Sequence, residues 1–278
     1  MRGLSGAGFL VAPISQRTCA LFVPIPFATL AQVNPTGEAI LSDLHEVAAR
    51  KSAQATDPVQ ANAVAEVKQY QHARFHKTYA DLLTHPRFAG PALFFLDDLY
   101  GPGDFSDRDA QFARVVPALV RLFPGAIVAT VADLAALHAL SEALDDQMAG
   151  AHLSVKPAGS KLDAASYLLA WQKTGAPDGR LKQIALMRRV GDALDRHTRR
   201  PFLRRSLALM RGPAKAAGLA ALQAFLERGF DTFAAMSGAD EFLNTIAARE
   251  TALAHELFAA ETACAKAAVL RQLPTFGV

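Results

Sequence analysis

The sequence predicts an all-α fold, a single multi-helix, bundle-like domain of about ten helices behind an extended N-terminal arm. Three observations carry this prediction. Apolar residues recur at helical spacing almost without interruption from residue 36 onward. Alternating runs of β-branched and aromatic residues between tight turns do not occur after residue 30. The breaks in the helical pattern fall at Pro, Gly and capping residues, where helices should start and stop.

Residues 1–35 form the arm. Its apolar run, Ala20 to Ala31, contains Pro24 and Pro26 and is too short to span a bilayer as a helix. An extended segment suits it; the alternative is a secretory signal within residues 1–31, with Arg2 and Arg17 as its basic region. Asn34-Pro35 then opens a helix with Ile40, Leu44 and Val47 on one stripe. Asp57-Pro58 repeats that signal and opens a helix to about Thr84, with Val64, Val67, Gln71, Phe75 and Leu82 along one side. A short apolar helix follows from about Phe88 to Tyr100, and Ser106 with Asp109 resembles a capping box for the next, which contains Pro117. Residues 126–149 form a helix, and 150–160 read as a long connection and the one plausible seam in a domain spanning 36–278. Ser160 caps a helix through Trp171, residues 180–199 form another, and Pro201 starts one ending at Gly212-Pro213. Two longer helices, 214–236 and 240–271, complete the chain. The Ala-rich last helix is a candidate surface for a homo-oligomer.

Composition narrows the class. The chain has 278 residues, 51% hydrophobic and 20% charged, which excludes a wholly disordered protein. Two cysteines, Cys19 and Cys264, exclude a disulfide framework and any Cys-based zinc module. The formal charge of +3 conceals an asymmetry. Residues 180–215 hold eleven Lys or Arg against two Asp, a net +9 that leaves −6 for the remainder. Such a tract fits an anionic ligand or an acidic protein partner, with Arg196, Arg199, Arg200, Arg204 and Arg205 as its centre. Phe202 is its only aromatic, so a base-stacking platform for nucleic acid is disfavoured. Pairing with the acidic segments 97–109 and 133–146 is the alternative use of the same charges.

Other constellations could carry chemistry. His72 and His76 lie four apart on one helix and could share a metal, with Tyr79 as a third ligand. The HExxH pattern is absent, so two boundary histidines are the alternative. His138, Glu142 and Asp145 share one helix face and could bind a metal or set His138 as a general base against Glu142. A solvated polar face with one local His–Glu hydrogen bond is the competing reading. Nucleophile elbows, phosphate loops and dinucleotide fingerprints are missing.

The segment Phe94-Phe95-Leu96-Asp97-Asp98-Leu99-Tyr100-Gly101-Pro102, with Asp104 and the Arg108-Asp109 pair after it, resembles a bacterial family of uncharacterised helical proteins marked by an FFL-x-DLYG-P element. The resemblance implies a helical fold over most of residues 65–260 and carries no functional assignment to any residue. The residues themselves read as a buried helix ended by Gly101 in the left-handed conformation, with Arg108 available to Asp97 or Asp98. Asp97 and Tyr100 remain candidate site residues.

Together these features predict a cytoplasmic, non-catalytic binding protein with a basic surface. The alternative is a metal- or cofactor-dependent helical enzyme built around His138, Glu142 and Asp145.

Overall fold

A computed structural model describes residues 35–275 apart from 102, 157 and 158. The predicted arm and signal-like segment lie outside the described residues. Twelve α-helices and one π-helical turn make up the described chain, with no strand among the described residues.

Helix α1 (Pro35–Thr56) buries Ile40, Leu44 and Val47, the stripe its spacing predicts. Asp57 caps α2 (Pro58–Thr78), its carboxylate accepting the Val59 and Gln60 amides at 3.1 Å each. The predicted helix to Thr84 is in fact two. The chain bends at Tyr79 and resumes as α3 (Ala80–Thr84), because the Thr78 carbonyl bonds to Arg249 at 2.9 Å and the Tyr79 hydroxyl reaches Glu250 at 2.6 Å. After α4 (Ala89–Leu93), residues Phe94–Leu99 widen into a π-helical turn whose i to i+5 ladder runs on to Tyr100, its amide bonding the Phe95 carbonyl at 3.1 Å. Gly101 is not left-handed as expected. It is required for a different reason: a Cβ there would stand 2.5 Å from the Asp97 carbonyl oxygen.

Asp104, rather than a Ser106–Asp109 box, starts α5 (Ser106–Leu122), accepting the Ser106 amide at 2.9 Å. Helix α6 (Gly125–Val155) is the spine, 31 residues or about 46 Å at the usual helical rise. It runs through most of the predicted seam, and the described residues belong to one unit. Among them α6 is the one helix long and apolar enough to cross a membrane, with mean hydropathy 1.5 in its most apolar stretch. Yet it carries Asp133, Glu142, Asp145 and Asp146 and packs on α1, α2, α7 and α8, the position of a bundle's central helix.

Asp163, not Ser160, caps α7 (Ala164–Thr174), trading hydrogen bonds with Ser166 at 2.7 and 2.9 Å. Then come α8 (Pro177–Thr198), α9 (Pro201–Ala216) and α10 (Ala220–Met236). Helix α9 continues past Gly212-Pro213, and the turn falls instead at Gly218, with φ +68°. The predicted last helix divides at Ala260 into α11 (Asp240–Ala259) and α12 (Ala263–Gln272). Phe242, Leu243, Ile246, Leu253 and Leu257 of α11 are spent on the chain's own core.

Three apolar clusters hold the helices together. One joins Val67, Tyr70, Met148, Tyr167, Trp171 and Leu257. A second, rich in phenylalanine, gathers Phe88, Phe94, Phe225, Phe233 and Phe242. The third packs Ile40 and Leu44 on Val116, Val128 and Ala135. Where the three meet, the packing is incomplete.

Candidate functional site

A cavity of about 230 Å³ occupies that junction, bounded by residues of all three clusters, among them Leu44, Phe95, Trp171 and Phe225. Interiors normally close to near-crystalline density, so a void this large is not a packing accident of one side chain. Most of its wall is apolar: Phe75, Leu99, Phe112, Val131, Ile184 and Ile246 contribute to it. The polar groups in the wall fall into five clusters.

The first stands behind Tyr100. Asp145 of α6 has no solvent exposure. Its carboxylate accepts from Gln71 Nε2 at 2.7 Å and from the Tyr100 hydroxyl at 2.8 Å. Burial pushes the Asp145 carboxyl above its ordinary value, although Arg180 and Lys68 pull the other way. Burial and the Asp145 charge hold the Tyr100 phenol well above its usual range. Phe75 meets the Tyr100 ring edge-on at 5.4 Å between centroids. Tyr100 is thereby fixed by α2 and α6 at once.

In the second, Lys68 donates to Glu142 at 2.6 Å. The third pairs His138 with Asp109, Nε2 to Oδ2, at 2.9 Å. Burial alone would raise the Asp109 carboxyl, but the His138 hydrogen bond and charge, with Arg108 and Lys51, bring it down to about 2. Arg108 also donates to the Asp98 carbonyl at 2.6 Å and lies over the Phe105 and Phe225 rings. A histidine oriented by a carboxylate is the arrangement of a general base, and this one is in the cavity wall.

Arg180 makes the fourth. It is 5% exposed, with its guanidinium 4.2 Å from the Trp171 ring centroid. Its hydrogen bonds go to Gln183 Oε1 at 3.2 Å and the Met148 sulfur at 3.8 Å. Among the described residues no carboxylate reaches ion-pair distance of it; Asp145 feels its charge from farther away, and the direct hydrogen bonds of Arg180 go only to neutral groups. The Trp171 indole N–H beneath it is also buried and without an acceptor among the described residues. The fifth holds Arg74, buried like Arg180 but bound by both oxygens of Glu250 at 2.8 and 3.0 Å.

The sequence candidates are thus partly gathered. Tyr100, His138 and Glu142 line one chamber, with Asp145 behind them. They do not form a unit among themselves: the expected His138–Glu142 hydrogen bond is replaced by His138–Asp109 and Glu142–Lys68. Asp97 points elsewhere and meets His72 Nε2 at 3.2 Å. His72 and His76 do come together, ring centroids 4.6 Å apart. Tyr79, the expected third ligand, is buried against Glu250 instead.

The basic tract is divided. Arg199 pairs with Asp195 at 2.5 Å and Arg204 with Asp231 at 3.1 Å. Arg189 pairs with Asp133 at 2.7 Å, which realises part of the internal pairing with the 133–146 segment. Arg196, Arg200 and Arg205 are exposed and have no ion-pair partner among the described residues. Arg108 meets the Asp98 backbone, while the Asp98 carboxylate is taken by Arg228 at 2.5 Å.

No motif singled out Lys68, while Asp109 stood only as a capping residue and a member of the Arg108-Asp109 pair, and Arg180 only as one cation of the basic tract. One signal did exist for Gln71: it is an amide on the apolar stripe of α2, and it is buried on Asp145. Projecting the Ile184–Met187–Gly191 stripe of α8 back by four residues likewise reaches Arg180.

Comparison with known proteins places this site within a family. The chain belongs to the family described as a domain of unknown function (DUF8198), which matches residues 50–264. That span contains every cavity-lining residue except Leu44. No curated protein and no solved structure matches the chain.

Proposed function

We propose that this protein binds a small, mostly apolar molecule with one anionic end in the central cavity, with Arg180 receiving the charge. The observation that carries this reading is Arg180 itself. A buried guanidinium with no carboxylate at ion-pair distance is costly, and an anionic group beside it would supply that direct contact. The unsatisfied Trp171 N–H offers a second donor to the same group. The apolar wall accounts for the rest of the ligand. Apolar cavities of roughly 150 Å³ accept a benzene-sized guest, so a chamber of about 230 Å³ has room for a larger ring or a medium-length chain.

The test is a thermal-shift and calorimetric series of medium-chain and aromatic carboxylic acids against their methyl esters. A saturating acid at a hundred times its Kd should stabilise the fold by about 2.7 kcal/mol, a rise of roughly 5–10 °C for a chain of this size. The esters should do much less, and Arg180→Met should abolish the difference. Equal binding of acid and ester, or no binding by any member, overturns the reading. The same reading keeps the protein in the cytoplasm, where its free, exposed Cys264 suits a reducing environment.

A second reading is supported by the surface of α9. Phe202 and Leu209 are 76% and 79% exposed, one helical face apart by seven residues, beside the uncommitted Arg200 and Arg205. This supports an anionic partner docking there. Salt-dependent retention on heparin should fall when Arg199, Arg200, Arg204 and Arg205 are changed to Glu; unchanged retention removes this reading.

A further inference from the structure

Outside the cavity, the π-helical turn brings a carboxylate to the histidine pair of α2. His72 and His76 occupy successive turns of one helix face, and Asp97 approaches from the turn. One donor atom from each residue lies within 4.8 Å of the other two. Asp97 is 57% exposed on its side chain and meets no Lys or Arg among the described residues; its one contact is His72. The adjacent Asp98, by contrast, is neutralised by Arg228.

We propose that His72, His76 and Asp97 form a binding site for a divalent first-row transition ion of the zinc class. Two imidazoles and one carboxylate are the donor set such ions take, at about 2.0–2.2 Å from the metal. Donors arranged tetrahedrally at that distance stand roughly 3.4 Å apart, which the His72–Asp97 separation of 3.2 Å already meets. His76 closes the triangle by a small side-chain rotation. An uncompensated carboxylate between two imidazoles supplies one negative charge to offset the ion, and the open side leaves the remaining coordination positions to water.

Placement gives the ion a consequence. It would join α2 to the turn that ends at Tyr100, beside the Phe75–Tyr100 contact between the same two segments. The site therefore fastens one wall of the cavity without entering it, and it stands independently of what the cavity binds.

The experiment uses the full chain stripped with a chelator and dialysed. Zn²⁺ is added in a calorimeter and Co²⁺ in a spectrophotometer. The expected result is one ion per chain with Kd of about 10 μM or tighter, cobalt d–d bands showing nitrogen ligation, and a higher melting temperature with the ion bound. His76→Ala and Asp97→Asn should each weaken binding by at least about tenfold. These side chains lie near the surface, so the variants should fold, and circular dichroism checks that they do. His255→Ala, which alters an exposed histidine on α11, should bind as the parent does. Absence of a one-to-one complex, or equal binding by the His76 and Asp97 variants, overturns the proposal.

Discussion

Tyr100 and Asp145 lie 45 positions apart in the chain and meet at 2.8 Å, a phenol donating to a carboxylate that has no contact with solvent. The hydrogen bond ties the end of the π-helical turn to the middle of the spine helix. Tyr100→Phe leaves Asp145 with Gln71 as its remaining hydrogen-bond donor. Loss of one partner of a buried acceptor costs about 1–3 kcal/mol, and denaturant unfolding should show a drop in midpoint of that size with little change in slope.

Asp109 should shape the acid limb of stability. Its carboxyl is held at about 2 in the folded protein against an ordinary 3.8. A depressed carboxyl stabilises the fold above its unfolded value, and that contribution is lost as pH falls from about 4 toward 2. The amount is on the order of 2 kcal/mol. Asp145 acts with the opposite sign: its raised carboxyl favours the fold below the unfolded value and gives that up as pH rises from there through the raised folded one. Asp109→Asn should therefore flatten the pH dependence of the unfolding free energy between about pH 4 and 2; an unchanged slope would show that the Asp109–His138 pairing does not matter to folding.

Gly101→Ala should destabilise by about 2–3 kcal/mol, since overpacking against backbone has little room to relax. The added methyl would meet the Asp97 carbonyl oxygen at 2.5 Å. A melting point within a degree of the parent would contradict the close approach on which this rests.

Arg74 and Glu250 offer a test of a fully paired buried charge. Glu250→Gln strands the Arg74 guanidinium and removes the anionic acceptor of the Tyr79 hydroxyl. Breaking a buried pair from one side costs about 3–5 kcal/mol. The variant Arg74→Met, Glu250→Leu combined with Tyr79→Phe should recover most of that loss in thermal unfolding, because it removes both charges and the hydroxyl that Glu250 satisfies.

The elements were legible where local chemistry decides them. The Ile40–Leu44–Val47 stripe and the Asp57 cap are local, and both are found as expected. The divisions at Tyr79 and Ala260 were not legible. The Tyr79 bend depends on Arg249 and Glu250, about 170 residues away in sequence, which take over a carbonyl and a hydroxyl. The same distinction applies to the site. His138, Glu142 and Asp145 were visible as one helical face, but seven residues of helix spread them over about 10 Å. Each reaches a different neighbour: Asp109 on α5, Lys68 on α2, and Tyr100 after the π-helical turn. Arg180 was hidden inside a tract of eleven cations because charge counting does not distinguish a buried guanidinium from exposed ones.

The π-helical turn at Phe94–Leu99 has one more consequence, for how the segment tolerates change. A wide turn holds one residue more than an α-helix would over the same path. Deleting one residue there lets an ordinary α-helix cover the same path, whereas adding one more swings everything after it by about 100° around the axis. An insertion ahead of Asp97 would carry Asp97 away from His72 and Tyr100 away from Asp145. Spacing is therefore constrained more tightly than side-chain identity at the exposed positions of this segment. Single replacements at Asp97 are survivable, whereas a one-residue insertion dismantles the cavity wall.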